Sequence, residues 1–168
     1  MKRVLVLALL ITAVLTAGYA QNSKADKEAA AQAQFEKAKA SIEAKNFVII
    51  PDSYESSNGT LENNSDDSNF ISYEGEFVFL QGAIICGNGY TNKATVTTIN
   101  QKLDKKGNFI VEMQVSGSQI QAKVEIMMRK GGNYAEVIIT PTKGVVRRFS
   151  GEVTLKSESK YYKRPNVV

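Results

Sequence analysis

The chain has 168 residues and a mass of 18.4 kDa, 43% hydrophobic and 23% charged, an ordinary globular composition with enough length for one core-bearing domain. Its 21 Lys and Arg against 17 Asp and Glu give a net +4, too mild and too scattered for a nucleic-acid binder. No histidine, no tryptophan and a single cysteine exclude His-based triads and general bases, His metal clusters, an intramolecular disulfide and a multi-cysteine zinc site.

Met1-Lys2-Arg3 is a short cationic start, and residues 4–17 form an uncharged apolar run. Gly18-Tyr19-Ala20 then offers small residues at the two positions a signal peptidase reads, which predicts cleavage after Ala20. The run falls short of the roughly 20 residues of a spanning helix, so an uncleaved anchor is the lesser alternative. With no cysteine near the cleavage point, a lipoprotein signal is excluded. Loss of Lys2 and Arg3 lowers the basic count from 21 to 19 against 17 acidic residues. The expectation is a nearly neutral periplasmic or secreted protein with no stable membrane span after cleavage.

Residues 21–46 read as a helical lead-in or tether. Residues 22–45 lack Gly and Pro and are rich in Ala, Lys, Glu and Gln, strong helix formers, and Ser23 is the candidate cap. Ala31, Phe35, Ala38 and Ile42 fall on one narrow face, so the half holding Phe35 and Ile42 is the half expected to dock. Residues 47–168 read as one antiparallel β domain. Phe47-Val48-Ile49-Ile50 is a strand closed by Pro51, and the polar residues 52–68 are expected to form a long loop or mobile excursion. Residues 69–73 and 76–81 flank Glu74-Gly75 as a hairpin.

The second half alternates most clearly. Residues 94–103 and 108–116 bracket the turn Asp104-Lys105-Lys106-Gly107. Phe109, Val111, Met113 and Val115 share one face, as do Ile120, Ala122, Val124, Ile126 and Met128 on the next strand. Residues 134–140 and a last strand carrying Phe149, Gly151, Val153 and Leu155 follow; residues 157–168 read as an edge strand or a loose tail. The fold expected is mainly β with an N-terminal helix, an antiparallel meander of about eight strands forming a barrel or a sandwich.

The helix running into Ile42-Glu43-Ala44-Lys45-Asn46-Phe47-Val48, then Asn69-Phe70-Ile71-Ser72 with Glu74-Gly75, carries a resemblance. So do Asp104-Lys105-Lys106-Gly107-Asn108 and Phe149-Ser150-Gly151-Glu152-Val153. Over roughly residues 25–160 the chain resembles the uncharacterised Bacteroidota family catalogued as domain of unknown function 4251. The resemblance implies an exported helix-plus-β protein and carries no activity onto any residue.

Chemistry is thin. Cys86 has no histidine to activate it and ends an apolar run, so it reads as a buried small hydrophobe. Asp66 and Asp67, with neighbouring Glu and Asn residues, are the candidate calcium ligands, although the alternating EF-hand spacing is absent. Lys105-Lys106 and Arg147-Arg148 read as solvated charges at strand ends. Tyr73, Phe77, Phe79, Tyr90 and Tyr134 are the candidate ligand-binding residues, as aromatics able to line a barrel mouth or a stacking surface. No cofactor motif occurs. The function expected is a non-enzymatic exported domain binding a small apolar or glycan ligand, or an envelope protein. An envelope structural or interaction module is the alternative, and a carboxylate hydrolase comes third.

Overall fold

The computed structural model describes residues 2–168, with side chains from Ser23 onward; the cleavage expected after Ala20 lies outside the described side chains. Helix α1 (Lys2–Glu43) is continuous through Ser23, so no cap forms there. It stops where Lys45 adopts a left-handed φ of 55° and its N–H bonds the carbonyl of Ile42. Phe35, Ala38 and Ile42 are buried in the core while Ala31 is only half-buried, so the docked half is the expected one.

The strands that follow are β1 (Asn46–Ile49), β2 (Ser53–Glu55), β3 (Leu61–Asn63), β4 (Phe70–Glu74) and β5 (Phe77–Gln81). After the single-turn helix α2 (Ala83–Cys86) come β6 (Thr91–Leu103), β7 (Phe109–Gly117), β8 (Gln121–Met128), β9 (Tyr134–Pro141) and β10 (Arg147–Leu155). All pair antiparallel in the order β1-β4-β5-β6-β7-β8-β9-β10, and β10 returns to β1, which closes an eight-stranded barrel rather than a sandwich. Closure leaves one-sided pairing only at β3 and at the part of β6 that runs past β5.

Register follows the period-two files. Phe109 pairs with Met128, Val111 with Ile126, Met113 with Val124 and Val115 with Ala122, all inward and all buried. Ile49, Ile71, Leu80, Met113, Ile126, Met128 and Ile139 are among the largest fully buried side chains, and they occupy the barrel interior. Each such burial stabilises by about 1.5–3 kcal/mol relative to exposure. A bulge between Val96 and Thr98 shifts the β6 register and puts Ile99 and Leu103 opposite Met113 and Phe109. The part of β6 beyond Thr95 pairs with β7 alone and is largely exposed.

Residues 52–68 are not a loose excursion. The first bend at Pro51 lets β2 continue beside β10, where Phe149 pairs with Tyr54, and β3 folds back on β2 as a hairpin turned at Gly59. Gly151 sits at this crossing. A Cβ there would lie 2.1 Å from the Ile50 carbonyl oxygen, so only glycine lets the bent strand pass. The chain after β10 is neither an edge strand nor loose. A 3-10 turn (Lys156–Glu158) leads into an extended tail along the outside of β4, β5 and β6, which ends with Val167 bridging Thr91 in parallel.

Candidate functional site

The two barrel ends are closed differently. Helix α1 leads directly into β1 and packs on β1 and β10, at the end that carries the β4–β5, β6–β7 and β8–β9 turns. At the opposite end lie α2, the β7–β8 turn and the β9–β10 loop. Glycine sets α2 in place: Gly82 has φ 100° and Gly87 has φ 72°, both in the left-handed region that side chains avoid. Asn69, just before the neighbouring strand β4, accepts a hydrogen bond from the Ile84 N–H at 3.2 Å, and a Cβ on Gly82 would collide with that same carboxamide.

Ile85 is fully buried and turns α2 down onto the barrel core. Cys86 is caged: its thiol donates to the Gly82 carbonyl at 3.3 Å and accepts from the Asn92 carboxamide at 3.1 Å. Asn92 also donates to Asn88 and to the Leu80 carbonyl. Burial pushes the thiol up from its ordinary pKa, against the pull of Asn88 and of the Arg147 charge. The thiol is thus held by hydrogen bonds and forms part of the wall of the site.

Between α2, the β7–β8 turn and the β9–β10 loop lies a cleft of about 520 Å³, within the range typical of small-molecule sites. Its apolar surface comes from Ile85, Ile120, Ile139 and Val145, and its two charged residues, Lys143 and Arg147, are both cationic. Among the described residues no carboxylate lines it. Arg147 opens β10 in the inward file of Phe149, Gly151 and Val153, paired with inward Ile139. Its guanidinium lies over Gly87, where an added Cβ would stand 2.6 Å from Nη2. Arg148 faces the other way, 3.8 Å from Glu55. The basic pair is therefore split: one solvated charge, as the sequence suggests, and one charge turned into the cleft.

The candidate aromatics do not converge. Tyr73 is buried in the core against Phe47, ring centroids 6.2 Å apart. Phe77 and Phe79 point outward on β5 beneath Lys93 and Lys163, with Nζ 3.7 and 3.2 Å from the ring centroids. Tyr90 is exposed on the loop after α2, and Tyr134 borders a shallower depression beside Arg129 and Glu136. Nor do Asp66 and Asp67 assemble a cation site. The Asp66 carboxylate is spent on Ser68, hydroxyl first and then N–H, and on the Asn69 carboxamide, which hold its pKa below the ordinary value. Among the described residues no group of three acidic or cysteine side chains is placed to hold a metal.

What sequence reading missed besides Arg147 is the polar clamp of the tail. Glu74 accepts from Lys156 and Lys163, each at 2.7 Å, and from Ser72 and Tyr161. Burial alone would raise this carboxylate, but the lysines and Ser72 outweigh it and bring it down to about 2. The same burial and the Glu74 charge push Tyr161 up to about 12. Beside it the buried Gln81 carboxamide is fully satisfied: it donates to the Ser68 and Tyr162 carbonyls and accepts from Thr91 and the Arg164 N–H.

The model of a protein family described as domain of unknown function (DUF4251) matches residues 29–153, from the middle of α1 to β10. The chain belongs to this family. The match confirms the resemblance carried by the turn and strand motifs, and it places the docked part of α1 inside the family's domain. A solved DUF4251 family protein from Bacteroides eggerthii DSM 20697 shares the fold with a TM-score of 0.68 at 24% identity, over 79% of this chain and 94% of that one. No curated protein matches the chain.

Proposed function

We propose that this DUF4251 protein is an exported, non-enzymatic binding domain that holds a small ligand in the α2-end cleft. The observation that carries this reading is the cleft itself: about 520 Å³, walled by Ile85, Ile120, Ile139 and Val145, at the mouth of a barrel whose interior is taken up by its own side chains. A ligand therefore sits at the mouth and not inside the barrel. The leader supports export, and a caged neutral Cys86 with no acid pair in the cleft supports binding without turnover. Because the chain has no tryptophan, Gln119→Trp on the cleft rim gives a unique fluorescent reporter. Members of a small-molecule panel that raise the melting temperature should also change this emission, and Ser118→Trp, which fills the cleft, should abolish their effect. Stabilising ligands that leave the reporter silent and survive Ser118→Trp would refute the reading.

A second reading, an envelope interaction module, is favoured by the projecting part of β6. There Ile99 and Leu103 are 37% and 56% exposed on a strand paired on one side only. Loss of partner capture on Leu103→Lys, with the cleft variants unaffected, supports it.

A further inference from the structure

Four arginines have described side chains, and three of them are occupied. Arg129 pairs with Glu136, Arg148 faces Glu55, and Arg164 donates to the Gly89 carbonyl and to Ser68. Arg147 is the exception: among the described residues its guanidinium has neither a hydrogen-bond acceptor nor a carboxylate within ion-pairing reach. It is also the one that is turned inward, half-buried, in a file otherwise occupied by Phe149, Gly151 and Val153. With no acceptor from the described residues, the guanidinium keeps its fork of donors open to the cleft, where an oxyanion could take them. Lys143 on the adjoining loop adds a second positive charge, and no acidic residue of the cleft opposes either. The space is kept open by Gly87, whose missing side chain makes room for Nη2.

Resting on the proposal that the cleft is a ligand site, we propose that its ligand is an anionic amphiphile. An oxyanion, carboxylate or phosphate, meets the Arg147 fork, with Lys143 beside it, and an apolar body lies on Ile85, Ile120 and Ile139. A planar guanidinium suits both headgroups because each presents two oxygens to two parallel N–H donors. The apolar wall supplies affinity by area, and the arginine supplies the choice of headgroup.

Isothermal titration of the protein with octanoate, octyl phosphate and octanol tests this. The expected result is at least tenfold tighter binding of one or both anions than of the alcohol. That advantage should collapse toward onefold in Arg147→Met and persist in Arg148→Met. The better of the two anions identifies the headgroup. Equal binding of all three, or an advantage that survives Arg147→Met, overturns the anionic assignment while leaving the cleft reading intact. Binding that survives the cleft-filling Ser118→Trp overturns the cleft reading, and no binding by any of the three overturns both.

Discussion

The two ends of this barrel solve one problem in different ways. Strands buried on their inner face leave apolar side chains open at both rims, and each rim needs a cover. At the α1 end the cover is generous: Phe35, Ala38 and Ile42 come down from a helix as buried side chains in the same cluster as Phe47, Phe109 and Val153. The α2 end has one turn of helix, one fully buried side chain in Ile85, and two flanking loops that do not meet above it. The difference teaches that the same barrel closes one end over its core and leaves the other as an open cleft, the end proposed to bind. Between them, the wall is held from outside by a polar clamp, with Glu74 and Gln81 binding the tail to β4 and β5.

Substitutions graded along this axis break or sharpen the contrast. At the closed end, Ile42→Ala removes a side chain with no exposure and should cost about 2–5 kcal/mol, read from urea unfolding. On the wall, Glu74→Gln leaves Lys156 and Lys163 facing a neutral amide and should cost about 1.5–3 kcal/mol. The wild-type carboxylate has its pKa lowered from 4.5 to about 2, so its stabilisation is complete above about pH 4.5 and is lost as pH falls toward 2. Stability followed across that window should decline less steeply in Glu74→Gln than in the wild type. Also on the wall, Gly151→Ala drives a methyl into the Ile50 carbonyl and should cost about 1–3 kcal/mol. At the open end, Arg147→Met should move stability by no more than about 0.5 kcal/mol, since among the described residues the guanidinium pairs with nothing. A loss there as large as that of Ile42→Ala would erase the distinction between the ends.

Much of the barrel was legible because burial on one face writes a period of two. The files of β7, β8 and β10 could be read residue by residue from Phe109 to Val153. Where burial is absent or polar, that signal disappears. In β3 all of Leu61, Glu62 and Asn63 are exposed, so a real strand looked like loop. The tail is held by Glu74, Gln81 and Thr91, partners 73–89 positions away, and nothing local announces them. Tyr73 lies in an inward file, but its place in the core opposite Phe47 rather than at a mouth follows only from the β1–β4 pairing. The cleft draws on three connections distant in sequence, so its outline could not be derived from spacing. Arg147 left one usable trace: it stands two residues before Phe149, in the inward register, whereas Arg148 does not.

The central claim is that the α2 end is the binding end. Backbone amide NMR of the protein titrated with octanoate or octyl phosphate tests it most directly. The account predicts shifts gathered at Ile85, Cys86, Gly87, Ile120, Lys143 and Arg147, with the amides of Phe35, Ile42 and Phe109 unmoved. Shifts centred on the α1 end, or on the outer aromatics Phe77 and Phe79, would contradict it.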